Sequence, residues 1–188
     1  MVHTERNETH VNLMDWNEFH EIVKHLIGQL SKMNIIFDAV TPILRSGAVP
    51  ATMIANKLKI IPTIPVQVKY NYVDNCIDKI IPPVCPQNRN KEEIKNILVV
   101  DSNTYTGGSA GLVAQLLSEE FPDAKLHYVC VTKVFGGKET IEGYSTYTVG
   151  QLTNEAFRDD APDDARYGIT IFPWETAQYE LDDINAEN

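Results

Sequence analysis

Residues 97–110 read Ile-Leu-Val-Val-Asp-Ser-Asn-Thr-Tyr-Thr-Gly-Gly-Ser-Ala, and this stretch decides the fold. Four apolar residues, Ile97 to Val100, predict a buried strand that ends at Asp101. A short connection leads to Thr106-Gly107-Gly108-Ser109, after which apolar residues recur at helical spacing. A helix entered through glycines presents free backbone N–H groups and the positive end of its dipole, and both favour a bound phosphate. An acid at the end of the strand suits the hydroxyls of a sugar that carries this phosphate.

This stretch resembles the phosphoribosyl pyrophosphate (PRPP) motif of type I phosphoribosyltransferases, which usually reads apolar-V-V-D-D-x-x-x-T-G-x-T. Residues 99–101 and 106–108 agree with the pattern, and Ser109 is a mild variant of it. Ser102 stands where the motif has its second acid. Tyr105 stands where purine-type members commonly carry a third acid.

The resemblance implies a role for each of these positions. The implied contacts of the 5′-phosphate are Thr106, Gly107, Gly108 and Ser109. The implied contacts of the ribose are Asp101 and Ser102. Asp101 and Tyr105 are the implied catalytic residues, and Asp101 is also the implied metal contact. A hydrogen bond to a charged group contributes roughly 1.5–3 kcal/mol. Ser102, which lacks that charge, is therefore the most serious departure from the pattern of an active enzyme.

Two other classes of nucleotide site also place a glycine loop after a strand. Neither the dinucleotide fingerprint G-x-G-x-x-G nor the ATP-binding pattern G-x-x-x-x-G-K-[ST] occurs in this sequence. A Rossmann-type oxidoreductase would have the same broad fold class, but this sequence lacks the dinucleotide fingerprint that such an enzyme would carry.

Residues 43–51, Ile-Leu-Arg-Ser-Gly-Ala-Val-Pro-Ala, resemble the pyrophosphate loop of the same family, apolar-x-R-G-G-x-x-P-A. The resemblance implies that Arg45, Ser46 and Gly47 contact the pyrophosphate of PRPP. An arginine fork suits paired phosphate oxygens better than a lysine point charge does. Ser46 replaces a glycine of the pattern, so we expect a turn of different shape.

A loop and two later segments complete the resemblance. Residues 71–92 occupy the place of the family's mobile hood, and Lys69 at its root is a further candidate pyrophosphate contact. Lys133 ends an apolar strand and is similar to the lysine that donates to the 6-oxo group of purines. Ile169 and Thr170 open a segment similar to the one that packs on the base, with Ile169 in the place of a stacking aromatic ring.

Apolar strands and amphipathic helices alternate along the chain, which favours an α/β fold with a mainly parallel, doubly covered sheet. The predicted helices cover residues 15–33, 48–58 and the run after Ser109, and the further predicted strands cover residues 35–44, 62–69, 126–134 and 169–172. Residues 135–168 are predicted as a polar excursion with one short strand, which sets base specificity.

The expected organisation is one phosphoribosyltransferase-like domain over residues 13–178. Residues 1–12 are expected to be a loose N-terminal segment, and residues 179–188 an acidic tail. The chain has 188 residues, a length that suits a single domain with a substantial core.

Composition excludes several partners. A net charge of −10 argues against a nucleic-acid or membrane surface, since both require excess Lys and Arg. No apolar run approaches the ~18 residues that span a bilayer, and the N-terminus lacks the layout of a signal peptide. The three cysteines have no metal spacing. We therefore expect a cytoplasmic protein in a reducing compartment, with no structural zinc.

Two functions of different classes remain open. The resemblance implies an Mg²⁺-dependent enzyme that transfers the ribose 5-phosphate of PRPP to a purine-type base and releases pyrophosphate, as in purine salvage. The alternative is a non-catalytic sensor that binds PRPP or a nucleoside monophosphate, which the departures at Ser46, Ser102, Tyr105 and Ile169 favour. A different ribosyl-phosphate chemistry on the same fold is a smaller possibility. Members of the family are usually homodimers or homotetramers, so we expect a homo-oligomer.

Overall fold

The structure is a computed structural model that describes residues 5–71 and 76–186. The strands are β1 (Val11–Leu13), β2 (Ala39–Leu44), β3 (Val66–Asn71), β4 (Cys76–Ile81), β5 (Asn96–Thr104), β6 (Lys125–Val134), β7 (Tyr144–Asn154), β8 (Arg166–Tyr167) and β9 (Ile169–Ile171). The helices are α1 (Trp16–Lys32), α2 (Ala48–Leu58), α3 (Gly108–Glu120) and α4 (Ala177–Ala186).

A seven-stranded sheet in the order β4-β3-β2-β5-β6-β7-β8 forms the centre of the molecule. Every neighbouring pair in it is parallel except β3 and β4, which form an antiparallel hairpin at one edge. The predicted fold class, α/β with a mainly parallel sheet, is therefore confirmed. Because β2, β5 and β6 run the same way, their carboxyl ends meet at one edge of the sheet, where open α/β sheets bind ligands.

Apolar side chains cover both faces of this sheet, as the sequence predicts. Along β5, Ile97 and Val99 pack against α3 on one face, whereas Leu98 and Val100 pack against α1 and α2 on the other. All four side chains are fully buried. This burial on both faces explains why the strand reads as a continuous apolar run rather than an alternating one.

The helices begin where the sequence places their caps. The Asp15 carboxylate accepts a hydrogen bond from the Glu18 N–H at 2.8 Å and caps α1. Helix α2 has the predicted bounds, with Pro50 in its first turn, and it ends at Lys59 in the left-handed region with φ +60°.

Two segments that the sequence predicts as mostly irregular, the hood and the polar excursion, contain strands. Part of the predicted hood, residues 76–81, is the edge strand β4; residues 72–75 lie outside the described part, and the mobility of the hood stays a prediction. The excursion over residues 135–168 holds β7, whose 11 residues pair with nearly the whole of β6. β7 is rich in Thr, Tyr and Gln and half-buried for much of its length, so it lacks the apolar run that identifies a central strand.

The two chain ends are also more regular than expected. In the segment predicted as loose, residues 8–10 form a 3₁₀ turn and β1 pairs in parallel with β9. β9 thus belongs to a separate two-stranded sheet instead of the central one. The predicted acidic tail lies within α4 as far as Ala186. No helix in the described part of the chain is long and apolar enough to cross a bilayer.

Candidate functional site

A cleft of about 500 Å³ opens at the carboxyl ends of β2 and β5. The whole stretch 101–110 lines it, so the strand end and the glycine loop share one cavity. Its other walls come from the β2 end, the end of β7, β9 and α4, through residues that include Ser46, Glu155, Ile169, Thr170, Glu175 and Glu180.

The glycine loop has the backbone geometry of a phosphate site. Gly107 is the N-cap of α3 and has φ +70°, a conformation that favours glycine. A Cβ atom on Gly107 would also lie 3.0 Å from the Ile141 side chain. The Gly111 N–H donates to the Gly107 carbonyl at 2.8 Å, so the helical hydrogen bonds begin there. The N–H groups of residues 108–110 precede those bonds and point out of the helix N-terminus.

Asp101 is a buried carboxylate in this cleft, with 8% of its surface exposed. It accepts hydrogen bonds from the Ser102 N–H at 2.9 Å and from the Tyr128 hydroxyl at 3.1 Å. Burial raises the pKa of Asp101 from 3.8 to about 7, although both hydrogen bonds lower it. Near neutral pH this carboxyl is therefore poised between an acceptor-only anion and a neutral donor.

The two serines that depart from the family pattern meet each other. The hydroxyl of Ser102, in the place of the second acid, donates to the Ser46 hydroxyl at 2.7 Å. Ser46 occupies the place of a glycine in the pyrophosphate loop. The hydrogen bond therefore joins the predicted ribose contact to the predicted pyrophosphate contact through two neutral groups.

Gly47 makes the tight turn of the pyrophosphate loop possible. A Cβ atom at this position would lie 2.5 Å from the Val100 carbonyl oxygen and 2.6 Å from that of Ile43. The Gly47 N–H donates to the Ile43 carbonyl at 3.0 Å, and the Leu44–Arg45 peptide bond is cis. Backbone contact with β5 thus holds this loop beside Asp101.

The cations predicted for pyrophosphate lie in an adjoining cavity of about 760 Å³. Arg45 and Lys69 line this second cavity, which shares Ser46 and Glu180 with the main cleft. Helix α4 supplies acids to it, Glu180 among them. Burial and Asp183 raise the pKa of Glu180, and the Arg45 charge acts in the opposite direction. An acidic helix therefore covers the side of the site where a pyrophosphate is predicted.

The base-side predictions separate into two groups. Ile169 and Thr170 line the main cleft, as their proposed role requires. Lys133 does not line it: its side chain is buried, and its ammonium pairs with Glu139 at 2.5 Å, close to the Tyr147 ring. Tyr105 lines the cleft with 47% of its surface exposed, and its carbonyl accepts from the Lys138 N–H.

Sequence reasoning missed Glu155. It follows β7 directly and lines the cleft, with hydrogen bonds from Asn103 and from the Thr170 N–H. Burial raises the pKa of the Glu155 carboxyl, and its hydrogen bonds lower it. No motif marked this residue, because its position depends on β7, a strand predicted as only a short one.

A model of the phosphoribosyl transferase domain matches residues 11–165. The chain belongs to this family. The match covers both segments singled out above, the PRPP motif and the pyrophosphate loop.

Solved structures of similar shape include members of this family. Purine phosphoribosyltransferase from Pyrococcus horikoshii has a TM-score of 0.66 at 17% identity, over 88% of this chain and 95% of that one. The xanthine-guanine-hypoxanthine phosphoribosyltransferase of Helicobacter pylori has a TM-score of 0.64 at 18% identity, over 93% and 99%. A hypothetical protein from Neisseria gonorrhoeae with bound ppGpp has the same TM-score and identity, over 98% of both chains. At these identities the likenesses establish the fold.

The main cleft of this family member has acidic walls. It is lined by the carboxyl groups of Asp101, Glu155, Glu175 and Glu180, and none of the described lining residues is Lys or Arg. Burial is the largest influence on Glu175 and raises its pKa to about 7. An anionic ligand in this cleft therefore depends on backbone N–H groups, on the adjoining cations and on any metal ion that it carries.

The residues fit a magnesium ion brought in by a ligand better than one held by the protein alone. Within the described residues there is no group of three or more His, Cys, Asp or Glu side chains that could bind a metal ion. Mg²⁺ usually keeps several waters and binds through one or two carboxylates plus substrate phosphates. Asp101, which pairs with no Lys or Arg among the described residues, has the donor type that such an ion needs.

Proposed function

We propose that this family member transfers the ribose 5-phosphate of PRPP to a purine-type base and releases pyrophosphate. The observation that carries the proposal is the shared cleft: the glycine loop at the start of α3, Asp101 and the β9 residues Ile169 and Thr170 line one cavity. A single cavity that these residues share supports the proposal, because a nucleotide joins a phosphate, a ribose and a base in one ligand.

In the proposed reaction the bond between C1′ and the pyrophosphate oxygen breaks, and its electron pair leaves with the pyrophosphate. A ring nitrogen of the base bonds to C1′ and gives up its proton to the departing pyrophosphate or to water. The first turn of α3 binds the 5′-phosphate, and the Asp101 carboxylate accepts a hydrogen bond from a ribose hydroxyl. Tyr105 lies beside the reacting nitrogen. Positioning and electrostatics supply most of the rate, because the enzyme forms no covalent bond to the sugar.

Pyrophosphate is proposed to lie between the two cavities. Arg45, Ser46, Gly47 and Lys69 would contact its oxygens. Bound Mg²⁺ would neutralise charge on the pyrophosphate and make it a better leaving group. Asp101 would reach this ion directly or through water.

The base is proposed to pack on Ile169 and Thr170. Ile169 offers an apolar surface without the flat face of an aromatic ring. Lys133 pairs with Glu139 and does not line the cleft, so a hydrogen bond from its ammonium to a 6-oxo group would require a rearrangement on binding.

The test is a turnover assay with PRPP, Mg²⁺ and single purine bases, read out by pyrophosphate release and by formation of the nucleotide. We expect base-dependent release that Asp101→Asn reduces at least 10-fold, since a hydrogen bond to a charged group is lost. Asp159→Asn, an exposed acid outside the cleft, is the control and should keep the wild-type rate. Absence of product with every purine and pyrimidine base would contradict the proposal.

The second candidate is a sensor that binds PRPP or a nucleotide without turnover. The hydrogen bond between Ser46 and Ser102 favours it, because two neutral groups occupy places where the family pattern has a glycine and an acid. The structural neighbour with bound ppGpp makes guanosine polyphosphates worth including among the ligands tested. Tight binding of one of these ligands with no pyrophosphate release would support the sensor.

A further inference from the structure

Glu155 is held rigidly at the edge of the main cleft. The Asn103 amide donates to both of its carboxylate oxygens, at 3.2 and 3.1 Å. The Thr153 hydroxyl and the Thr170 N–H donate to Oε1 at 3.2 and 3.3 Å. Donors from three strands, β5, β7 and β9, therefore fix this carboxylate.

The hydrogen bonds to this carboxylate are unevenly shared. Oε1 accepts from three groups at hydrogen-bond distance, whereas Oε2 accepts from Asn103 alone among the described residues. The Thr170 hydroxyl makes no hydrogen bond of good geometry, but it lies near enough to the carboxyl to lower its pKa. A carboxylate offers about four lone-pair sites and, when ionised, no donor. Oε2 therefore keeps the capacity to accept another hydrogen bond, and Glu155 lines the cavity that the ligand is proposed to enter.

The charge of Glu155 is also unbalanced. No Lys or Arg among the described residues pairs with it, and its donors are all neutral. Glu155 is half-buried, and a carboxylate that has lost part of its hydration and has no cation is costly. A ligand N–H group that donates to it reduces this cost. A ligand carbonyl at the same place would instead face a carboxylate oxygen, and the two acceptors would repel.

Glu155 lies where the base of the ligand is proposed to bind, so its preference for an N–H donor over a carbonyl concerns the base. The Thr170 backbone is hydrogen-bonded to Glu155, and Thr170 with Ile169 forms the proposed base wall. On the other side Asn103 follows the proposed ribose contacts by one residue. Glu155 thus lies between the base wall and the ribose side of the cleft.

We propose that Glu155 selects purines that carry an exocyclic amino group, with its Oε2 accepting a hydrogen bond from that group. This inference rests on the proposed function, because it assumes that a purine occupies the cleft. The favoured ligands are amino-purine nucleotides, and the disfavoured ligands are their counterparts with an oxo group or hydrogen at the same carbon. A site built to hydrogen-bond a substrate group discriminates strongly against an analogue that lacks it.

The test is calorimetric titration of the full chain with GMP, AMP, IMP and XMP at pH 8, which requires no turnover. If Oε2 accepts from a 2-amino group, we expect GMP to bind at least about 10-fold more tightly than XMP and IMP. If it accepts from a 6-amino group, we expect AMP to bind at least about 10-fold more tightly than IMP. One hydrogen bond to a charged group accounts for a difference of this size. In Glu155→Gln this preference should fall to less than about 3-fold, while the affinity for IMP stays within 2-fold. Asp159→Asn, an exposed acid four residues further along the chain, should keep the wild-type preference.

The wild-type titrations alone can overturn the inference, whatever the variant does. Equal affinity for all four nucleotides would reject selection by Glu155 and leave the proposed transferase intact. Preference for XMP or IMP would reject it as well. No binding of any nucleotide would reject the purine site itself and, with it, the proposed function.

Discussion

Asp101 combines two properties that oppose each other. It lies within β5, which continues to Thr104 instead of ending at Asp101 as predicted, and burial there raises its pKa to about 7. It also lines the cleft, where the proposed ribose hydroxyl needs a charged acceptor. The folded pKa exceeds the unfolded value of 3.8, so the native state binds the proton more tightly than the unfolded state does. The contribution of Asp101 to the free energy of unfolding therefore falls as pH rises from about 4 to about 7.

We therefore predict a pH-dependent gain in stability for Asp101→Asn. A shift from 3.8 to about 7 corresponds to on the order of 4 kcal/mol of stability lost between acid and alkaline pH. The variant should lose less stability than the wild type between pH 5 and 8, as measured by urea unfolding at each pH. Part of the loss should remain in the variant, because the pKa of Glu175 is also raised to about 7. Parallel stability profiles for the two proteins would contradict this account of Asp101.

The hydrogen bond between Ser46 and Ser102 can be measured with a double-mutant cycle. Ser102 is buried, so Ser46→Ala leaves a buried hydroxyl without its partner and should cost about 1–3 kcal/mol. Ser102→Ala should cost a similar amount. The double variant should cost no more than either single one, because it removes both hydroxyls together. Additive losses in urea unfolding would mean that the two serines act independently.

At the scale of single residues, the sequence singled out candidate site residues but did not show which side chains contact each other. The motif singled out Ser46 and Ser102 as separate departures, but they are 56 residues apart, and only the parallel pairing of β2 with β5 brings them together. Glu155 was missed for the same reason. Lys133 was predicted from its place at a strand end, and the ion pair with Glu139 that draws it away depends on the fold of the following loop.

Among the elements, the pyrophosphate loop makes the strictest demand on a side chain. Gly47→Ala would place a Cβ atom 2.5 Å from a backbone oxygen of β5, and backbone cannot move as a flexible side chain can. We predict a loss of about 1–3 kcal/mol in the free energy of unfolding. Binding of pyrophosphate should weaken as well, because the turn that carries Arg45 must shift.

Gly28→Ala is the matched control for this substitution. Gly28 lies on the exposed face of α1, and an added Cβ atom would meet nothing within 4 Å. Alanine there should stabilise the protein by about 0.5–1 kcal/mol. If Gly47→Ala leaves the midpoint of thermal unfolding unchanged or raises it, the steric account of Gly47 is wrong.

The elements that the sequence predicted well are those with local signals. Helix α2 has Pro50 near its start, α1 has an Asp15 cap, and β5 is an apolar run buried on both faces. β4 and β7 carry no such signal. β4 is a largely exposed edge strand, and β7 mixes polar residues with half-buried ones, so only their pairing partners identify them.

Over the whole molecule, the distribution of charge sets the conditions for binding. The net charge of −10 argues against nucleic acid and membranes as partners. Some of the acids that produce this charge belong to α4 and line the second cavity. An anionic substrate must therefore approach a cleft with acidic walls. Magnesium on the pyrophosphate would reduce that repulsion.

We predict that Glu180→Gln tightens the binding of pyrophosphate. Glu180 lines both cavities and interacts with Arg45, so its charge opposes an anion there. Removing one like charge near a surface should improve affinity by about 2- to 10-fold at low salt, and by less at high salt. Glu21→Gln, an acid on the exposed face of α1, removes the same charge and should have no effect. Equal effects of the two variants in calorimetry would assign the change to net charge instead of to α4.

The central claim is that one cleft binds PRPP and a purine and joins them. The most direct test is calorimetric titration of the protein with PRPP and Mg²⁺, followed in the same cell by single bases, with pyrophosphate assayed afterwards. The account predicts binding of PRPP and then base-dependent heat with release of pyrophosphate. Saturable binding of PRPP with no heat and no pyrophosphate from any base would contradict transfer and support the sensor. No binding of PRPP at all would contradict the assignment of the cleft.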